Sequence, residues 1–177
     1  MNKKYEKMDS IYYKSLNRKA IFINAISLSI YICYYLRINS KKYRKKLEDN
    51  MEIHISNFLS IPIREQKFLA NRIKPPEGIA KNRALLENIF TLFFCINCKI
   101  PVFICGKPGC SKSLSVQLLY KAMRGDSSDD DFFRRIPRLF INSYQGSLTS
   151  TSKGELNIFK KARDIIRGTK NSNKSQN

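Results

Sequence analysis

The 177-residue sequence predicts an α/β fold with a helical segment ahead of it, on three observations. Residues 100–105, Ile-Pro-Val-Phe-Ile-Cys, form an apolar run without alternation, the pattern of a parallel strand buried on both faces. Residues 106–113, Gly-Lys-Pro-Gly-Cys-Ser-Lys-Ser, follow as a tight glycine and proline loop. Behind the loop, Leu114 and Leu118 with Val116, Leu119 and Met123 recur at helical spacing.

Composition allows this. A hydrophobic share of 42% is that of a globular chain, and the length suffices for one domain plus a helical appendage. The net charge of +19, with a pI near 9.9, points to polyanionic partners: nucleotides, nucleic acid, acidic membrane surfaces or an acidic protein.

In chain order, residues 1–73 are expected as the helical segment. Within it, residues 20–36 are mostly apolar. The run is shorter than the ~20 residues of a membrane span and contains Asn24, Ser27 and Ser29, so a helix buried in a bundle is expected. The cluster Lys41, Lys42, Tyr43, Arg44, Lys45 and Lys46 reads as a solvated helix face, with anionic lipid or nucleic acid as alternative partners. Residues 47–73 look helical, with Ile53, Phe58, Leu59, Phe68 and Leu69 as core candidates and Pro62 breaking any single long helix. Residues 74–78, Lys-Pro-Pro-Glu-Gly, are the expected linker.

Residues 79–167 then read as the first part of a phosphate-binding domain. A helix over 79–98 is marked by Leu85, Leu86, Ile89, Phe90, Phe93 and Ile96. The strand over 100–105 and the helix over 113–124 flank the loop, with Gly125 as the helix stop. Residues 126–131 read as a solvated acidic loop, and 139–144 as a second strand. Ser152 and Glu155 have capping-box spacing, opening a helix with Ile158, Phe159, Ala162, Ile165 and Ile166 inside. Residues 168–177 are expected as a disordered polar tail.

Five cysteines, an odd number, and an N-terminus without signal-peptide layout favour a reducing compartment. Cys95 and Cys98 followed by Cys105 and Cys110 suggest zinc. They lie, however, on an expected helix, strand and loop rather than on turns, so core thiols are preferred, as is an ordinary side chain for the lone His54.

The chemistry lies in residues 106–113. Gly106, Lys107, Pro108, Gly109, Cys110, Ser111, Lys112 and Ser113 fit a phosphate-binding P-loop, with Ser111 where the general pattern has its second glycine. Gly106 and Gly109 would let the backbone turn and approach a ligand. Successive N–H groups would then form an anion nest, reinforced by the positive end of the following helix. In such a loop Lys112 reaches the β- and γ-phosphates and the Ser113 hydroxyl ligates Mg²⁺. The alternative is a plain strand–turn–helix junction, but a lysine at a helix N-terminus is unfavourable unless an anion neutralises it.

Residues 79–90 (Ile-Ala-Lys-Asn-Arg-Ala-Leu-Leu-Glu-Asn-Ile-Phe), 99–114 and Ser143-Tyr144-Gln145-Gly146-Ser147 together resemble one AAA module of the mysterin family. These are giant ring-finger ATPases and E3 ubiquitin ligases. Modules of that family carry Gly-Lys-Pro-Gly-x-Ser-Lys-Ser, which makes Ser111 a family trait. The resemblance is strong from about residue 79 to residue 162 and weaker over Cys33-Tyr34-Tyr35-Leu36-Arg37 and the basic cluster.

The resemblance implies an incomplete AAA+ large subdomain that binds ATP through residues 106–113, with Lys112 on the phosphates and Ser113 on Mg²⁺. It also implies further AAA modules as partners, ubiquitin transfer in the whole protein, lipid-droplet association and a cytoplasmic location. The family continues into a strand bearing a Walker B Asp-Glu pair. No apolar run ending in Asp-Glu occurs in this sequence, and sensor, arginine-finger and RING residues are likewise unmatched. Nucleotide binding without useful hydrolysis by a truncated module is therefore expected, since phosphoryl transfer needs positioned water and metal. Two readings of other classes stand beside it: a basic nucleic-acid-binding module, and a peripheral membrane protein using residues 20–46.

Overall fold

The computed structural model describes residues 17–174, with the side chains of Ile166 and of residues 169–174 left aside. Residues 1–16 of the expected helical segment and the last three residues of the expected tail lie outside the described residues. The helices are α1 (Arg18–Cys33), α2 (Lys41–His54), α3 (Ser60–Arg72), α4 (Arg83–Asn97), α5 (Lys112–Ala122), the short α6 (Asp131–Arg134) and α7 (Ser152–Lys174), with 3₁₀ turns at Tyr35–Arg37 and Gly125–Ser127.

The expected α/β class is corrected: among the described residues there is no β-strand. Residues 100–107 and 137–147 run without regular structure, and Phe103 is 92% exposed. An apolar run has the propensity for a strand. It becomes one only when a neighbour supplies the hydrogen-bonded ladder, and neither run has such a neighbour.

The chain falls into two compact units, one ending at Ala122 and the other beginning at Met123. In the first unit, α1 is capped by Asn17, whose Oδ1 accepts from the Ala20 N–H at 2.9 Å. It packs on α3, and α3 on α4, which packs along α5. Phe58 is completely buried and centres a cluster with Ile55 and Ile61, lined by Ile23, Ile26 and Ile30 of α1. Burying such a phenylalanine is worth about 1.5–3 kcal/mol. The buried Ser27 hydroxyl donates to the Phe58 carbonyl at 3.0 Å, so the polar atom inside this cluster is satisfied. Tyr31 accepts from the Gln66 amide at 2.8 Å and meets Phe90 edge-on at 6.3 Å, joining α1 to α3 and α4.

Several expectations shift in detail. Pro62 is the third residue of α3, where its missing N–H costs nothing; the break comes earlier, at Asn57 (φ +58°), where Glu52 accepts from the Asn57 and Phe58 N–H groups. Ile53, a core candidate, is 76% exposed. Arg44 of the basic cluster lies over the Tyr35 ring at 5.2 Å, and Lys45 pairs with Asp49 at 2.9 Å. Residues 74–78 connect the packed α3 and α4 through a turn at Glu77 and Gly78, with Lys81 donating to the Ala70 carbonyl at 2.6 Å. Of the cysteines only Cys95 is buried, so the core-thiol expectation holds there alone.

In the second unit, Phe133 of α6, Met123 and Ser128 are buried. The acidic loop is more than solvated: Asp130 caps α6 through the Phe132 N–H at 2.9 Å, and Asp131 pairs with Arg134 at 2.8 Å. Helix α7 begins at Ser152 with Thr151 as its cap, one residue before the expected capping box. A Cβ at Gly154 would stand 2.9 Å from the Tyr144 hydroxyl, the far end of an exposed side chain that would have to move aside. The helix continues to Lys174, through residues expected as tail, and leaves Phe159 73% exposed rather than inside.

Candidate functional site

The loop over residues 106–113 sits between the C-terminal end of α4 and the start of α5. Helix α5 begins at Lys112, so Lys112 and Ser113 stand in its first turn, where N–H groups are free of helical partners. Ahead of them, Gly109 (φ +83°) and Ser111 (φ +58°) are both left-handed, on either side of Cys110. Alternation of right- and left-handed residues turns successive N–H groups to one side and makes an anion nest. The Cys110 N–H closes a turn on the Lys107 carbonyl at 3.4 Å.

Glycine is needed at only one of the two expected positions. Gly109 holds a backbone conformation that a side chain strains. At Gly106 the φ is not left-handed, and a Cβ would meet Cys110 at an ordinary 3.6 Å. Ser111 bears the strain that the general pattern avoids with glycine. A left-handed non-glycine residue costs roughly 1–2 kcal/mol.

Lys112 is half-buried, and its ammonium donates to the Gly106 carbonyl at 2.7 Å and the Lys107 carbonyl at 2.8 Å. It closes the loop on itself, and those carbonyls stand in for the acceptor oxygens that a phosphate would offer. Lys107, Pro108 and Gly109 are exposed, as is Ser113; Cys110 and Ser111 are half-buried. The buried Ser115 hydroxyl donates within the same turn, 2.8 Å from the Ser111 and Lys112 carbonyls, so the site rests on a satisfied polar floor. Left-handed kinks, an ammonium across the loop mouth, and a free helix start suit a phosphate group; an exposed hydroxyl one residue on suits a hard cation beside it.

One participant was not assigned a role from sequence. Asn88, half-buried near the middle of α4, donates its side-chain amide to the Cys110 carbonyl at 2.9 Å. The signal for it in the sequence is a polar residue set among the apolar Leu85, Leu86, Ile89 and Phe90.

A family model described as RNF213 AAA domain matches residues 78–177. The chain belongs to the RNF213 AAA domain family. It is similar to "E3 ubiquitin-protein ligase rnf213-beta" of Danio rerio, 34% identical over 84% of this chain. It is also similar to "E3 ubiquitin-protein ligase RNF213" of Homo sapiens, 32% identical over 81% of this chain, and of Mus musculus, 32% over 89%. The matched region is 3% of each relative, so the chain spans a small part of the proteins it resembles. The mysterin-type resemblance read from residues 79–90, 99–114 and 143–147 is borne out at the level of family.

Proposed function

We propose that residues 106–113 bind the triphosphate of ATP with Mg²⁺. The carrying observation is the left-handed pair Gly109 and Ser111 set directly before the Lys112 helix start. Membership of an AAA family supports the choice of nucleotide. Lys112 would exchange its two carbonyl partners for phosphate oxygens, and Ser113 would hold the metal, which supplies charge neutralisation between the β- and γ-phosphates.

Titration with a fluorescent ATP analogue and Mg²⁺ tests this. Saturable, Mg²⁺-dependent binding is expected, weakened at least about tenfold by Lys112→Ala, the size of a lost charge-assisted contact. Binding that is absent, or indifferent to that substitution, sinks the reading. No steady-state phosphate release is expected, since no apolar run ending in Asp-Glu is present to place metal and water. In a longer protein, nucleotide binding here would work beside further AAA modules and serve ubiquitin transfer, in the cytoplasm, where thiols such as the exposed Cys33 and Cys98 stay reduced.

One observation favours a second reading, a peripheral membrane contact. The stretch Arg18–Arg37 is long and apolar enough to cross a membrane by length and composition, and most of its apolar window is not buried, with Ile21 and Phe22 exposed. Flotation of the whole chain with anionic liposomes, lost on Phe22→Ser, would support it; no flotation removes it.

A further inference from the structure

We infer that Asn88 is a positioning residue for the phosphate loop: it holds the peptide between Cys110 and Ser111 so that the Ser111 N–H faces the ligand. The inference rests on the nucleotide reading above and adds a residue outside the loop to it.

Asn88 is an expensive choice where it stands. Asparagine is a weak helix former, and its neighbours Leu85, Ile89, Phe90 and Leu92 are all buried. Its side chain crosses to a residue 22 positions further on and donates to the Cys110 carbonyl at 2.9 Å. The peptide bonds are trans, so the carbonyl of Cys110 and the N–H of Ser111 point in opposite directions across one plane. Pinning the carbonyl toward α4 therefore turns the Ser111 N–H away from α4, to the other side of the loop. Ser111 is the strained left-handed residue (φ +58°) that leads directly into Lys112. Strain of this kind persists only where surrounding structure over-determines it, and a side-chain bond to the adjoining peptide does so.

The support for Asn88 is itself firm. Helix α4 starts at an Asn82 cap, whose Oδ1 accepts from the Leu85 N–H at 2.9 Å. An Arg83–Glu87 pair at 2.6 Å follows on its first turns. The anchor thus transmits the position of a capped, packed helix to a loop that has no strand ladder to hold it.

The test uses the full chain, with the fluorescent ATP analogue and Mg²⁺ as one probe and amide hydrogen exchange of residues 110–113 in the nucleotide-free protein as the other. Asn88→Asp keeps the shape and replaces the donor by an acceptor, and Asn88→Ala removes the group. Each is expected to weaken nucleotide binding by about 5- to 10-fold, the factor of one hydrogen bond, and to speed exchange at Cys110, whose N–H donates to the Lys107 carbonyl in the anchored loop. Adding Ser111→Gly, which takes the left-handed conformation without strain, is expected to restore most of the affinity of the Asn88→Ala chain. General loss of packing would not be rescued this way. Wild-type affinity and exchange in both Asn88 variants overturn the inference, as does failure of the rescue. If the wild-type chain binds no nucleotide, the proposed function falls, and unchanged exchange on Asn88→Asp still decides the anchor separately.

Discussion

Helices α4 and α7 are written in the same pattern and meet different fates. Both repeat apolar residues at helical spacing, and both are bounded by N-terminal polar caps. Helix α4 buries Leu85, Ile89, Phe90, Leu92 and Cys95. Helix α7 leaves Leu156 52% and Phe159 73% exposed, and the nearby Tyr144 is 42% exposed. Periodicity sets which face of a helix is apolar. Whether that face contributes to stability depends on a second element lying against it, and α4 has α3 and α5.

The largest expected effect breaks this contrast directly. Leu85→Ala, at a side chain 1% exposed, should cost about 2–5 kcal/mol by denaturant unfolding, because it leaves a cavity between packed helices. Phe159→Ser on α7 should stay within about 0.5 kcal/mol, as for a surface position. Comparable losses at the two sites would mean that the α7 face is covered in solution.

Ser111→Gly sharpens the comparison at the loop between α4 and α5. Release of the left-handed strain, less the greater chain entropy of glycine, should stabilise the protein by about 0.5–1 kcal/mol. Ser111→Ala should give no such gain. A loss of stability on Ser111→Gly would show that the serine side chain contributes more than its backbone strain costs.

The smallest effect concerns the 3₁₀ turn Tyr35–Arg37 that follows α1. Burial and donation to Glu48 at 2.6 Å push the Tyr35 phenol from its ordinary value of 10.0 up to about 12. A raised folded value means that the neutral phenol is the stabilising form. Its contribution is whole below pH 10 and is lost as pH rises from 10 to 12. Thermal melts of Tyr35→Phe should therefore fall below wild type at pH 8 and converge with it toward pH 12. A constant gap across that range would show that the phenol does not titrate in the folded state.

Much of the chain was legible in advance. Residues 79–98 predicted α4 to within a few residues, and residues 113–124 did the same for α5, since helical spacing is local. The loop was legible as a pattern, and its left-handed Gly109 follows from glycine chemistry. The strands over 100–105 and 139–144 were misread because an apolar hexapeptide records a preference for burial and carries no information about a pairing neighbour. The burial expected of Phe159 failed for the same reason, and the role of Asn88 stayed hidden because its partner lies 22 residues away.

The sequence by itself determined where most of the helices run, where the chain turns and which residues make the glycine and serine loop ahead of α5, because backbone preference and side-chain spacing act over a few residues. Tertiary structure alone decided that α4 buries its apolar face while α7 leaves Leu156 and Phe159 exposed, that the Lys112 ammonium rests on the Gly106 and Lys107 carbonyls, and that Asn88 reaches the loop. Burial and hydrogen-bond partnership are properties of pairs, and the members of these pairs are chosen only when distant parts of the chain come together.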